Sequence, residues 1–273
     1  MKIENTEVYG FRVALRGMRN PMNSWEKGDS QFYASDYEYW HPNICVPECP
    51  VIGPKDLELC CKLIKGGSVH RKFLRQIMII TDLTLPRYIW QEMDTYKVAT
   101  VRNSCSTMHK LGGSTIKEED FQDGIVLPTV LEELNHLSKL YAETKDYELV
   151  RRMKKILPEG FLQKATYSMS YETGLSMVRW RKDHRLSEWS GTGGICEWLL
   201  SLPYMKIFFE ALPPENKFSK GLKEKLLSRL TAEGFPINAL TSRLCEQAII
   251  QVMTEDLFVQ LEKICNEGKT TIL

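Results

Sequence analysis

Residues 86–112 gather Arg87, Glu92, Asp94, Lys97, Arg102, Asn103, Ser106 and His109 on a helix-then-turn pattern with an apolar stripe. These are the groups that hold a polar anion: guanidinium and ammonium supply charge, while Ser104 and Ser106, with the amides of a turn, supply neutral donors. A second group lies at 179–186, RWRKDHRL, where Arg181 and Arg185 are one helical turn apart. On one helix their guanidiniums would converge on a single carboxylate, phosphate or ring carbonyl, and His184 and Glu188 share that spacing. A third group, Arg71, Lys72 and Arg75, suits a pyrophosphate. Plainer readings stand beside each. Lys97 and Arg102 also read as solvated cations at a helix end. Glu188 with Arg185 or His184 reads as a surface ion pair worth about 0.3–0.5 kcal/mol, and the basic run at 71–75 reads as wet surface.

These residues need elements to position them. Residues 8–16 alternate well enough for a strand, followed by a turn-rich loop and an aromatic cluster of Phe32, Tyr33, Tyr37, Tyr39 and Trp40, read as packing. Residues 54–65 have helical spacing, Pro54 at the start and Gly66–Gly67 at the stop. Residues 76–84 are rich in β-branched side chains and predict a buried strand closed by Pro86. Helical period returns at 87–101. Residues 127–156 predict a helical hairpin, 165–177 and 178–186 two further helical segments, and 195–202 a helix after the glycines at 191–194. The section from 213 to 273 is charged and reads as amphipathic helices.

With 273 residues and 43% hydrophobic content, the chain can bury a substantial core. A net charge of +1, from 36 basic and 35 acidic residues, gives no global field for a polyanion, so strong nucleic-acid binding is not expected. No apolar run is long enough to span a membrane and the first residues lack a signal-peptide core, which predicts a soluble, cytoplasmic protein with reduced thiols. Cys45 and Cys49, near His41, Cys60 and Cys61, lack a matching second pair and read as thiols in a Pro-rich loop rather than a zinc site; no metal is expected. No nucleophile elbow, Walker sequence, dinucleotide fingerprint or zincin motif is present.

Across 57–203 the order of elements resembles the flavin-dependent thymidylate synthases. Leu63-Ile64-Lys65-Gly66-Gly67 precedes the strand, and the helix from Pro86 leads into Thr95-Tyr96-Lys97, Thr100, Asn103 and Ser106, where the family carries Arg-His-Arg, Ser, Asn-Glu and Ser. Residues His70-Arg71-Lys72-Phe73-Leu74 stand where the family has Ser-Pro-Phe-Glu-His. Leu157-Pro158, Ala165-Thr166 and Arg179 to Leu186 follow like its later Leu-Pro, Asn-x-Arg and Arg section. Thr95, Tyr96, Lys97 and Ser104 depart from the signature.

The resemblance implies an α/β (α+β) fold over 1–212, a central sheet with long helices, carrying a helical C-terminal extension at 213–273. It implies transfer of a one-carbon unit to C5 of a pyrimidine deoxynucleotide, dUMP to dTMP, with FAD as cofactor, methylenetetrahydrofolate and NADPH as co-substrates, and a homotetramer. By the same resemblance Arg181, with Arg185 second, would polarise the pyrimidine. His70, Arg71, Tyr96, Lys97 and His184 would meet flavin, and Glu92, Arg102, Asn103, Ser104 and Ser106 the nucleotide. Two alternatives remain: a homologue that binds nucleotide, or serves only a structural role, without flavin chemistry, and a helical interaction module built on the last section.

Overall fold

The computed structural model describes residues 1–34 and 44–213. The readings placed on Tyr37, Tyr39, Trp40, His41 and 213–273 lie outside the described residues, apart from Pro213 itself, as does the side chain of His109.

Strand β1 (Lys2–Tyr9) leads through Gly10 into helix α1 (Phe11–Met18). This corrects the single strand expected at 8–16. Phe11, Ala14, Leu15 and Met18 are all buried at helical spacing, a period that a window this short does not separate from alternation. Gly10 makes the turn at φ 94°, and a Cβ there would lie 2.2 Å from the carbonyl oxygen of Gln76, so only glycine passes this point without strain.

Strand β2 (Gln31–Ala34) follows, then β3 (Ile44–Cys45) and β4 (Glu48–Val51), which pairs antiparallel with β2. Helix α2 (Pro54–Lys65) has the expected bounds: proline opens it, the Asp29 carboxylate accepts from the Lys55 and Asp56 amides at 3.0 Å each, and Gly66 closes it. Strand β5 (Met78–Pro86) runs directly into α3 (Arg87–Met93).

The helix expected over 87–101 stops at Met93. Tyr96 N–H bonds back to the Met93 carbonyl, Ala99 sits at φ 54°, and Val101–Ser104 is strand β6. Three β-branched residues at 98–101 lower the helix tendency there, and pairing with the sheet takes over. Helix α4 (Thr107–Leu111) comes next, then the expected hairpin of α5 (Pro128–Thr144) and α6 (Tyr147–Ile156). Leu134, Leu137, Val150 and Met153 give this hairpin its own small core, with Phe121 and Phe161.

Residues 165–177 hold another correction: strand β7 (Leu162–Ser170) precedes helix α7 (Tyr171–Arg181). Ala165, Tyr167 and Met169 are buried at period two, the signature of one covered sheet face. Short helices α8 (Ser187–Ser190), α9 (Ile195–Ser201) and α10 (Met205–Glu210) complete the described chain. None of the described helices is long and apolar enough to cross a membrane.

The main sheet has the order β3-β1-β5-β7-β6, with β5 and β7 antiparallel at its centre from Met78↔Ser170 to Pro86↔Leu162. Antiparallel strands feed α3 and α7 from opposite ends of the sheet. The C-terminal turns of the two helices meet where Glu92 touches Arg181.

The opposite face of the sheet is polar. Asp82 accepts from Thr166 Oγ1 at 2.7 Å, Asn5 Nδ2 at 3.0 Å and Lys164 Nζ at 3.2 Å, and these contacts, the Thr166 hydrogen bond foremost, hold its carboxyl below the usual range. A lowered folded-state pKa stabilises the fold above the unfolded value near ~4, and the contribution disappears as pH falls through the lower folded value. Asp82→Asn is therefore expected to flatten the acid limb of stability below about pH 4. Urea midpoints of the two proteins measured from pH 6 downward check this; parallel limbs would refute it.

Candidate functional site

Glu92, on the last turn of α3, organises a half-buried cluster. Its Oε2 accepts from Arg181 Nη1 at 2.7 Å and from Trp189 Nε1 at 2.8 Å. Arg181 Nε donates to the Tyr96 hydroxyl at 3.2 Å, and the guanidinium lies 5.2 Å from the Trp189 ring and 5.9 Å from the Tyr96 ring. Trp189 is fully buried, while the side chains of Arg181, His184 and Glu92 keep 20%, 24% and 28% exposure, enough for a ligand to reach them. Among the described residues, neither Arg181 Nη2 nor Glu92 Oε1 has a partner. The cluster thus offers a free N–H donor edge and a free carboxylate oxygen beside two aromatic rings.

The His184 ring completes the cluster: its Nδ1 lies 3.3 Å from the Leu186 amide, and its Nε2 lies 2.9 Å from Arg181 Nη1 and 3.7 Å from Glu92 Oε2.

Helix α7 ends at Arg181, so Arg185 is not one turn further along the same helix, and its exposed side chain does not join the cluster. Convergence of the two arginines on one ligand face, expected from spacing alone, is corrected by this helix end. Glu188 departs from the surface ion pair with Arg185 or His184: it is buried and accepts from the Tyr88 hydroxyl, whose pKa is raised by burial and by this carboxylate.

On the other side of α3 a cleft of about 240 Å³ is lined by Arg87, Trp90, Asp94, Arg102, Lys154 and Gln163. Arg102, on β6, lies over Trp90 at 4.9 Å and pairs with Asp94 at 2.9 Å. Arg87 is 3.4 Å from Glu159 and donates to the Leu157 carbonyl, while Lys154 is exposed and has no carboxylate partner among the described residues. Asn103 and Ser104 sit beside Arg102 on β6, opposite Thr166 and Ala165, and exposed Ser106 precedes α4. Next to the cleft's wall the Tyr167 hydroxyl is buried without a partner in hydrogen-bonding geometry, and its ring packs 5.9 Å from Trp90.

The remaining expected residues collect at the other end of α7. Arg71 Nε lies 3.0 Å from both carboxylate oxygens of Glu172, Thr173 Oγ1 holds the Val98 carbonyl at 2.9 Å, and Lys97 is exposed on the same turn. His70 is exposed and packs against Gly66. A flavin dinucleotide brings a doubly charged pyrophosphate. Within this chain Arg71 is already neutralised by Glu172, whose carboxylate adds negative charge at the same place, so this donor set does not fit such a group.

Sequence reasoning thus named Glu92, Tyr96, Arg181 and His184, which the fold brings together, and missed Trp189, Trp90 and Lys154. Trp189 carries a usable signal: an indole four residues after the charged run 181–185 marks the point where the chain turns back into the core.

The described residues include no group of three or more His, Cys, Asp or Glu side chains placed to hold a metal. Cys60 is buried against Met18, and burial pushes its thiol up; Cys196 is raised to about 11 for the same reason.

No family model matches the sequence, and no curated protein does. Solved structures do match. The crystal structure of flavin-dependent thymidylate synthase ThyX from Helicobacter pylori complexed with FAD and dUMP is similar over 78% of this chain and 100% of that one, with TM-score 0.53 and 16% sequence identity. A second structure of thymidylate synthase X from Helicobacter pylori with FAD and dUMP covers 78% of this chain and 99% of its own, again at TM-score 0.53 and 16% identity. The likeness establishes a shared fold, a mixed α/β architecture with a central sheet and flanking helices.

Proposed function

We propose that this chain binds a pyrimidine deoxynucleotide, as a divergent relative of the flavin-dependent thymidylate synthases. The observation that carries the reading is the free edge of the Glu92–Arg181 pair: an N–H donor and a carboxylate acceptor beside Tyr96 and Trp189. The imide edge of uracil, a carbonyl next to an N–H, is its complement. Arg102 and Lys154, with Arg87, line a cleft that suits the 5′-phosphate; Ser104 and Ser106 are the neutral donors nearest to it, whereas Asn103, paired with Thr166, is on the opposite face of the strand. Helicobacter pylori ThyX, which shares the fold, is complexed with FAD and dUMP, and that supports the choice of ligand.

In its finer form the reading makes the chain an enzyme that converts dUMP to dTMP as a cytoplasmic homotetramer, with methylenetetrahydrofolate as one-carbon donor and NADPH as reductant. The resemblance names FAD for the hydride relay, a group whose pyrophosphate the Arg71–Glu172 pair does not fit. Arg181 Nη2, held in place by Glu92 and Tyr96, would stabilise negative charge developing on a ring carbonyl, with Arg185 available only if that loop moves. Closure of Arg71 by Glu172 favours a second form, a homologue that binds the nucleotide without flavin chemistry.

Thermal unfolding with dUMP, dCMP, dTMP and FAD in parallel tests both forms, because a ligand of the folded state raises the melting temperature by mass action. A shift with dUMP and with FAD, in a protein that turns yellow, supports the enzyme. A shift with a nucleotide alone, in a colourless protein, supports the second form. No shift with any nucleotide overturns the proposal.

A further inference from the structure

Helix α1 carries Arg12 and Arg16 one turn apart, and Arg19, the residue that caps its C-terminus, continues the same face at i+7. Two of the three are neutralised. Arg12 Nε meets both carboxylate oxygens of Glu48 at 3.1 and 3.2 Å, and buried Arg19 meets Asp56 Oδ1 at 2.6 and 2.7 Å. Arg16, between them, has no hydrogen bond or ion pair among the described residues and is exposed.

These arginines line a depression of about 190 Å³ that is closed on its other sides by Trp25, Phe32 and the backbone near Gly28. Trp25 is half exposed, yet its ring is fixed by the 2.8 Å bond from Nε1 to Asn20 Oδ1. The Arg12 guanidinium caps Phe32 at 4.5 Å from the ring centroid. The floor is Leu15 and the Arg19–Asp56 pair, so the base of the depression is rigid and electrically balanced.

Of the three guanidiniums that line the depression, two are matched by Glu48 and Asp56, and the next carboxylate, Asp29, is held by the Lys55 and Asp56 amides, so Arg16 is the lining cation left without a counter-charge among the described residues. An anion gains most there, and flat aromatic walls select a ring. The volume is below the roughly 300 Å³ of drug-sized sites, which limits the occupant to a single ring with its charged group.

We propose that this depression binds a small monocyclic aromatic anion, its ring against Trp25 and Phe32 and its carboxylate or phosphate on Arg16. None of these residues belongs to the nucleotide reading, so the two stand or fall separately.

The test is isothermal titration of the full chain with benzoate, phenyl phosphate, cyclohexanecarboxylate and inorganic phosphate, repeated on Arg16→Gln and Trp25→Leu. The Arg16 side chain is exposed and has no hydrogen-bond or ion-pair partner among the described residues, so its variant retains the fold. Saturable binding of benzoate or phenyl phosphate is expected, at least roughly tenfold weaker in either variant and for the non-aromatic or ring-free anions. Absence of saturable binding by the wild-type chain up to about 10 mM overturns the proposal, as does binding that survives both substitutions or does not distinguish phenyl phosphate from inorganic phosphate.

Discussion

Asp56→Ala is expected to destabilise the folded chain by about 3–5 kcal/mol, a fall of about 10 °C in melting temperature for a unit of this size. Asp56, on the first turn of α2, and Arg19, just past α1, have side chains only 4% and 6% exposed. Oδ1 takes two guanidinium donors, while Oδ2 accepts from the Asp29 and Ser30 amides at 3.1 Å each and the Ser30 hydroxyl at 2.6 Å. One carboxylate therefore ties α1, α2 and the 29–30 loop together. Its removal strands a buried guanidinium and leaves three further donors without their acceptor, and each buried orphan costs more than the bond it once made. Arg19→Met should cost less, because Asp56 keeps its loop donors. Urea unfolding of the two variants separates the cases. A loss below about 1 kcal/mol in Asp56→Ala would mean that the pair behaves as a surface contact.

Arg181→Ala is expected to weaken dUMP binding roughly tenfold to a hundredfold, the worth of a hydrogen bond from a charged donor in a part-buried site. Arg181→Lys should lose nearly as much. An ammonium that pairs with Glu92 has no second planar edge to offer the ring, whereas the guanidinium uses Nη1 for Glu92, Nε for Tyr96 and keeps Nη2. The melting temperature distinguishes this from a folding defect, since Trp189 still donates to Glu92 in both variants. A lysine variant with wild-type affinity would reduce Arg181 to a point charge and remove the edge-matching argument.

Some of this was legible in the sequence for definite reasons. Helix α2 was bounded by Pro54 and Gly66, β5 by a β-branched run and Pro86, and the α5–α6 hairpin by a long apolar stripe; each signal is local. Segments failed where two periods fit the same few residues. In β7, Ala165, Tyr167 and Met169 alternate, but Thr166 and Ser168 between them gave no strong polar contrast, and only pairing with β5 decides the strand. The helical period of α3 runs past Met93 in the sequence because the competing pairing of β6 with β7 is made with residues more than sixty positions away. At the site, the spacing of Arg181 and Arg185 points to convergence on one helix face, a reading that fails at the end of α7. Its real setting, Glu92 some ninety residues earlier, is a tertiary contact invisible to spacing.

The central claim is that the Glu92–Arg181 edge and the Arg102–Lys154 cleft hold one pyrimidine deoxynucleotide. Isothermal titration of dUMP into the wild-type chain, Arg181→Ala and Arg102→Ala tests it most directly. The account predicts saturable binding at one site per chain, weakened by each substitution, with Arg181→Ala also erasing any preference for dUMP over inorganic phosphate. Equal affinity in all three proteins, or no heat of binding in the wild-type chain, would contradict it.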